Sequence, residues 1–152
     1  MTQLSDYSSP AYIRKLKARN KFKAIEELAR SFQGSAVCED LEELVVALIE
    51  REKIMSTGIG FGIAIPHAKI ASVNQVAFAI GVSKQGIDFE SIDGHPVHII
   101  ILVAAGEKQH KDYLKLLSKI MSVLKQEGAR NRLIESASSE DVLRIFEIPV
   151  DA

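Results

Sequence analysis

The sequence predicts a layered α/β domain, with a sheet in the middle and helices on both faces. Three observations lead there. Residues 97–104 read Val-His-Ile-Ile-Ile-Leu-Val-Ala, a branched and almost continuously apolar run that marks a central strand buried on both faces. Apolar stripes at helical spacing lie on either side of it: Phe22, Ile25, Leu28 and Ala29, then Leu41, Leu44, Val45, Leu48 and Ile49 before it, and Leu114, Leu117, Ile120, Met121 and Leu124 after it. Ile63-Ala64-Ile65 has the length and branching of a further buried strand.

Taken in order, residues 1–10 are polar and punctuated by Ser8-Ser9-Pro10, which suggests a loosely ordered lead-in. Residues 12–16 alternate briefly as a first strand. Asn20 reads as the cap of the first helix, which Gly34 closes, and Asp40 with Glu43 gives the second helix a capping-box signature. That helix runs toward Glu50-Arg51-Glu52-Lys53 and brings Arg51 to the edge of a glycine-rich turn. A strand at 76–82 ends in a Lys84-Gln85-Gly86 turn. Past the central strand, Gly106 breaks the chain, and a helix at 111–125 begins just after His110. Two shorter helices follow, over 130–136 and from a Ser138/Asp141 capping box to Phe146. A length of 152 residues suits one domain with its own core.

The chemistry centres on the stretch from Ser56 to Ala68. Ser56, Thr57, Gly58, Gly60 and Gly62 form a turn whose glycines leave amide N–H groups uncovered, a candidate phosphate-binding loop. Pro66 lacks the next ladder donor, so the strand should stop there and leave His67 at its end. A dinucleotide fingerprint fails, because position 63 is Ile and the helix precedes the glycines. A P-loop fails for want of Gly-Lys-Ser/Thr. A nucleophilic histidine, its acquired charge held by amides and cations, fits the order of parts. A structural turn beside a hydrogen-bonded histidine fits the same residues. Sites in open sheets gather at the carboxyl ends of strands, so His67 and His110 could meet.

Composition narrows the partners. With 19 Lys and Arg against 20 Asp and Glu, the net charge of −1 offers no broad field for nucleic acid or anionic lipid, and any anion site must be local. The longest apolar run, 99–105, is too short to cross a bilayer, and the first residues lack a secretory pattern. These features, with the lone Cys38 as an unpaired packing thiol, predict a cytoplasmic protein without membrane insertion. His95 sits in a Gly-His-Pro turn and His98 within a strand, with no ligand cluster around them, so no metal site is expected. The paired acidic residues read as helix-start charges and solvated faces. Ile54, Met55, Ile59 and Phe61 offer either a docking surface or ordinary packing.

Glu52, Ile59, Gly60, Ile63, Ala64, Ile65, Pro66, His67 and Ala68 fill, without a gap, the phosphorylation-site pattern of enzyme IIA domains of the fructose/mannitol class. Asp93-Gly94-His95-Pro96-Val97 is also similar, and the chain thereby resembles that family of the bacterial phosphoenolpyruvate-dependent phosphotransferase system over nearly its whole length. The resemblance implies a single type 2 IIA domain over 1–152 with a mixed, mainly parallel sheet of about five strands, a three-layer sandwich. It implies that His67 takes a phosphoryl group from phospho-HPr and passes it to an enzyme IIB cysteine, supported by Arg51 and by His110 as second active-site histidine, with no cofactor or metal. Its role would lie in sugar uptake or, as in the nitrogen-related stand-alone subgroup, in regulating protein targets. One departure stands out: Ala104-Ala105-Gly106-Glu107 replaces the proline usual in the loop before the second histidine.

Overall fold

In the computed structural model, which describes residues 2–151, the strand Val97–Ala105 carries alternate side chains into two separate apolar layers. Ile100, Leu102 and Ala104 enter one layer and Ile99, Ile101, Val103 and Ala105 the other, all at 0–1% exposure, while Val97, at a register shift opposite Ile87, joins the first layer. Period-two geometry thus turns a continuous apolar run into the floor of two cores. The elements are β1 (Ile13–Lys15), α1 (Lys21–Ala29), α2 (Leu41–Ile54), β2 (Gly58–Gly60), β3 (Ile63–Ala64), β4 (His67–Lys69), β5 (Ala77–Ile87), β6 (Val97–Ala105), α3 (His110–Leu124), α4 (Glu127–Glu135) and α5 (Ser139–Arg144).

The sheet runs β1-β5-β6-β3-β2, with β4 also on β6. Pairings β1/β5, β3/β6 and β4/β6 are parallel, while β5/β6 and β2/β3 are antiparallel, so the sheet is mixed and mainly parallel. Its six segments lie on five strand lines. Ile63 pairs with Ile99 and His67 with Val103, the same offset, so β3 and β4 are one line interrupted by Ile65-Pro66. Pro66 supplies no N–H, yet its carbonyl accepts from Val103 N at 2.9 Å, while Ile65 N turns away to Thr57 O at 3.0 Å. His67 therefore opens a strand segment where the sequence suggested a strand end.

Helices α1 and α2 cover the face carrying Ala64, Ala68, Ala77, Ala79 and Ala104, where small side chains let Leu28, Leu44 and Leu48 approach closely. Helices α3, α4 and α5 cover the Ile/Val/Phe face. The predicted caps form: Asn20 accepts from Lys23 N at 3.0 Å, Asp40 from Glu43 N at 3.1 Å and Ser138 from Asp141 N at 3.1 Å. Each such cap is worth about 1 kcal/mol.

Four local expectations are corrected. The lead-in is tied down, because Leu4 is wholly buried and Leu4 N and Ser5 N donate to Ile148 O (2.7 Å) and Phe146 O (2.9 Å); Met1 lies outside the described residues. Strand β5 runs straight through the supposed Lys84-Gln85-Gly86 turn as a bulge, since Val82 faces Ile99 but Ile87 faces Val97. Gly86 takes φ +84° there, its N–H on Ser83 Oγ. In α3 the buried face is Tyr113, Leu116, Ile120, Val123 and Leu124, and Leu114 points outward; Phe22 of α1 is likewise at the surface. Among the described residues no helix is long and apolar enough to cross a membrane.

Candidate functional site

Alternation along the β3/β4 line puts Ala68 against α2 and leaves His67 and Lys69 on the side of Ile63 and Ile65, facing the start of α3. There the His67 ring meets Tyr113 at 5.7 Å between centroids, and His110, one turn earlier on α3, stands 6.1 Å from the same tyrosine. Lys69 bridges them, its ammonium 5.1 Å from the Tyr113 ring centre and 2.5 Å from His110 Nδ1. Lysine can only donate, so His110 Nδ1 accepts and its ring proton sits on Nε2, ready to donate elsewhere. The loop before His110 is held without the usual proline: Gln109 Oε1 accepts from Gly106 N at 2.6 Å and its Nε2 donates to Asn74 O at 3.1 Å.

His67 is half-buried, and its Nδ1 lies 2.9 Å from the Ile65 carbonyl. A carbonyl only accepts, so Nδ1 carries the proton and Nε2 keeps its lone pair. Burial pushes the imidazole pKa below its ordinary 6.5; the Ile65 hydrogen bond opposes this, and the charges of Arg51 and Lys69 add to the depression. The ring is neutral at pH 7. Arg51, in the last turn of α2, donates Nη1 to Met55 O at 3.0 Å and lies near enough for its charge to act on both His67 and Tyr113. Burial raises the Tyr113 pKa, which keeps that hydroxyl protonated and able to donate. His67, His110 and Arg51 thus come together as the sequence suggested. Lys69 and Tyr113 join them as residues it did not single out.

The glycine turn behaves otherwise. Gly58 and Gly60 belong to β2, which forms a hairpin with β3, and Phe61 (φ +58°) and Gly62 (φ +74°) make its turn. Three of its amides are already taken: Thr57 N–H goes to Glu52 at 2.8 Å, with Thr57 Oγ1–H on the same carboxylate at 2.6 Å, Gly58 N–H to Ser56 Oγ at 3.0 Å, and Phe61 N–H to Asp93 Oδ2 at 3.2 Å. Ser56 itself donates to Phe89 O. Of the expected phosphate-binding loop of Ser56, Thr57, Gly58, Gly60 and Gly62, Thr57 and Gly58 thus spend their amides, and Ser56 its hydroxyl, on acceptors within the chain. Gly58 is required for a close approach, since a Cβ there would stand 2.3 Å from Ser91 Oγ. Hydrogen bonds from His95 N, and then from Phe61 N, hold the Asp93 carboxyl below the usual carboxylate range.

Behind this turn Glu52 is 2% exposed and lies 3.6 Å from Lys21 Nζ, which also reaches Glu90 at 3.2 Å. On the outside, Ile54 (80% exposed), Met55 (68%) and Phe61 (75%) are open to solvent, as is Ile92 (85%) in the loop that carries Asp93. Ile59 instead packs against the core. His98 Nδ1 bonds Ser83 O at 2.8 Å, and Cys38 Sγ lies 3.2 Å from Asp40 O.

Fold and site together define a three-layer α/β domain with a neutral, half-buried histidine set among cations. The family model for the phosphoenolpyruvate-dependent sugar phosphotransferase system, EIIA 2, matches residues 10–148, and the chain belongs to that family. It is 38% identical over 131 residues to the fructose-specific EIIABC component of Bacillus subtilis, covering 86% of this chain but only 21% of that protein. It is 29% identical over 147 residues to a nitrogen regulatory protein of Bradyrhizobium diazoefficiens, covering 96% of this chain and 95% of that one. The structure of the nitrogen regulatory protein IIA-Ntr from Neisseria meningitidis superposes with a TM-score of 0.86 at 27% identity, over 94% of this chain and 98% of that one.

Proposed function

We propose that the protein is a phosphohistidine carrier, with His67 Nε2 as both acceptor and donor. The observation that carries the reading is the Nδ1–H bond to Ile65 O, which leaves a neutral ring with its lone pair on Nε2. In the forward step that lone pair forms an N–P bond as the N–P bond of a phosphohistidine on an HPr-like donor breaks. In the second step a cysteine thiolate of an enzyme IIB attacks phosphorus and the His67 N–P bond breaks. Arg51, Lys69 and His110 Nε2–H supply charge and hydrogen bonds to the phosphoryl oxygens, and the reaction requires no metal or cofactor. Exposed Ile54 and Met55, next to Arg51, give the partners an apolar surface beside the site.

Incubation with phosphoenolpyruvate, enzyme I and HPr should place one acid-labile, base-stable phosphoryl group on the protein, and His67→Ala should abolish it. Labelling that persists in His67→Ala, or a label found on His110, overturns the assignment. Membership of the EIIA 2 family and the likeness to a fructose-specific component support a role for this carrier in sugar uptake of the fructose/mannitol class. A second reading, a regulator whose phosphorylation state selects its protein targets, is favoured by the end-to-end match to nitrogen regulatory proteins. Rapid discharge of the label to a fructose- or mannitol-type IIB supports uptake. Retained label, with different partners recovered by phosphorylated and unphosphorylated protein, supports regulation.

A further inference from the structure

At the opposite edge of the sheet from His67, β1 and the bulged end of β5 face the α4–α5 connection across a cavity of about 460 Å³. Three strand spacings, about 14 Å, separate β1 from β4. Arg14, Lys15, Lys17, Arg19 and Lys84 line it, and no carboxylate does. These are five of the 19 cations in a chain of net charge −1, and among the described residues none of the five forms a salt bridge. The nearby Glu27 carboxylate is turned onto the backbone, accepting from Lys17 N at 3.1 Å and Ala18 N at 2.9 Å. Ser138 and Ser139 place hydroxyls on the facing wall, where Ser136 spends its own on Arg132 O, while Ile13, Val82 and Val142 give an apolar floor.

Like charges gathered around a concavity repel one another, and an anion entering it removes that cost. The volume lies in the range of small-molecule sites, too small for a folded partner, and the apolar floor suits a ring body. We infer that this cavity is a second, separate binding site for a small phosphorylated molecule with a ring body, the class of nucleotides and sugar phosphates. The phosphate meets the cationic rim and the serine hydroxyls, and the ring lies on Ile13, Val82 and Val142. The site is independent of the histidine chemistry proposed above.

The test uses the full chain titrated with adenosine 5′-monophosphate and with glucose 6-phosphate, followed by amide NMR shifts. The expected result is saturable shifts at residues 13–19, 83–85 and 136–139, unchanged in His67→Ala. Adenosine alone should bind about tenfold or more weakly, and so should either phosphate in Lys15→Ala/Lys84→Ala, two exposed positions whose loss leaves the melting temperature unmoved. The proposal is overturned if neither probe shifts these amides up to about 10 mM. It is also overturned if adenosine binds as well as its phosphate, if the double variant binds unchanged, or if only anionic vesicles bind, which would make the rim a lipid contact.

Discussion

Glu52→Ala is the substitution whose cost the structure specifies best. The carboxylate is 2% exposed and accepts from Thr57 N at 2.8 Å and Thr57 Oγ1 at 2.6 Å, with Lys21 Nζ at 3.6 Å. Truncation strands a buried amide, a buried hydroxyl and an ammonium that is itself 9% exposed. Removing one partner of a buried pair costs about 3–5 kcal/mol, and here the lower end applies because Lys21 keeps Glu90 at 3.2 Å. The expected loss is about 3 kcal/mol, a large share of the stability of a domain this size. Glu52→Gln keeps the shape and one acceptor oxygen but loses the charge, so about half of that loss is expected. Urea unfolding with a common m-value measures both. Adding Lys21→Met to Glu52→Gln should recover stability, a coupling that a double-mutant cycle reads directly. A loss under about 1 kcal/mol for Glu52→Ala, or equal losses for Ala and Gln, would refute the account.

Three further outcomes are expected. Because the folded His67 pKa lies below its ordinary 6.5, the unfolded chain binds more protons just under that value; stability should fall as pH drops through 6.5 toward the folded pKa, and His67→Gln should flatten that slope in pH-dependent melts. Lys69→Gln should leave the melting temperature unchanged, since the side chain is exposed, while slowing the initial labelling rate about tenfold; an unchanged rate would remove Lys69 from the site. Gly58→Ala should cost about 2 kcal/mol through the clash with Ser91, whereas the same change at Gly128, where a Cβ meets nothing within 4 Å, should be neutral or stabilising in the same denaturation assay.

The parts legible in the sequence are those that depend on near neighbours. The strand at 97–104 declared two-sided burial through its own composition, and Asn20, Asp40 and Ser138 declared three helix starts through residues three positions away. Lys69 was within reach by the same logic, because two steps along a strand from His67 return to the same side. In the glycine turn one acceptor comes from afar, since Asp93 lies 32 residues beyond Phe61, and a bare amide looks identical in sequence whether a ligand or a distant carboxylate fills it. The face of α3 was shifted because Gln109 offers no side-chain cap from which to count, so Leu114 read as buried where Tyr113 is. Leu4 read as part of a loose arm because its partners, Phe146 and Ile148, lie at the other end of the chain.

The shared offset of β3 and β4 along β6 has a consequence for traffic through the site. His67 rides on a ladder that resumes in step after Pro66, and its ring is leashed by Nδ1 to a carbonyl two residues back. In the carrier proposed above, the Nε2 lone pair therefore has a single bearing, fixed by that bond. Whatever delivers a group to it and whatever collects that group must stand in the same spot, one after the other. Such a courier never holds sender and recipient at once; each must leave before the next arrives, and the flow of messages is set by how quickly the doorway clears.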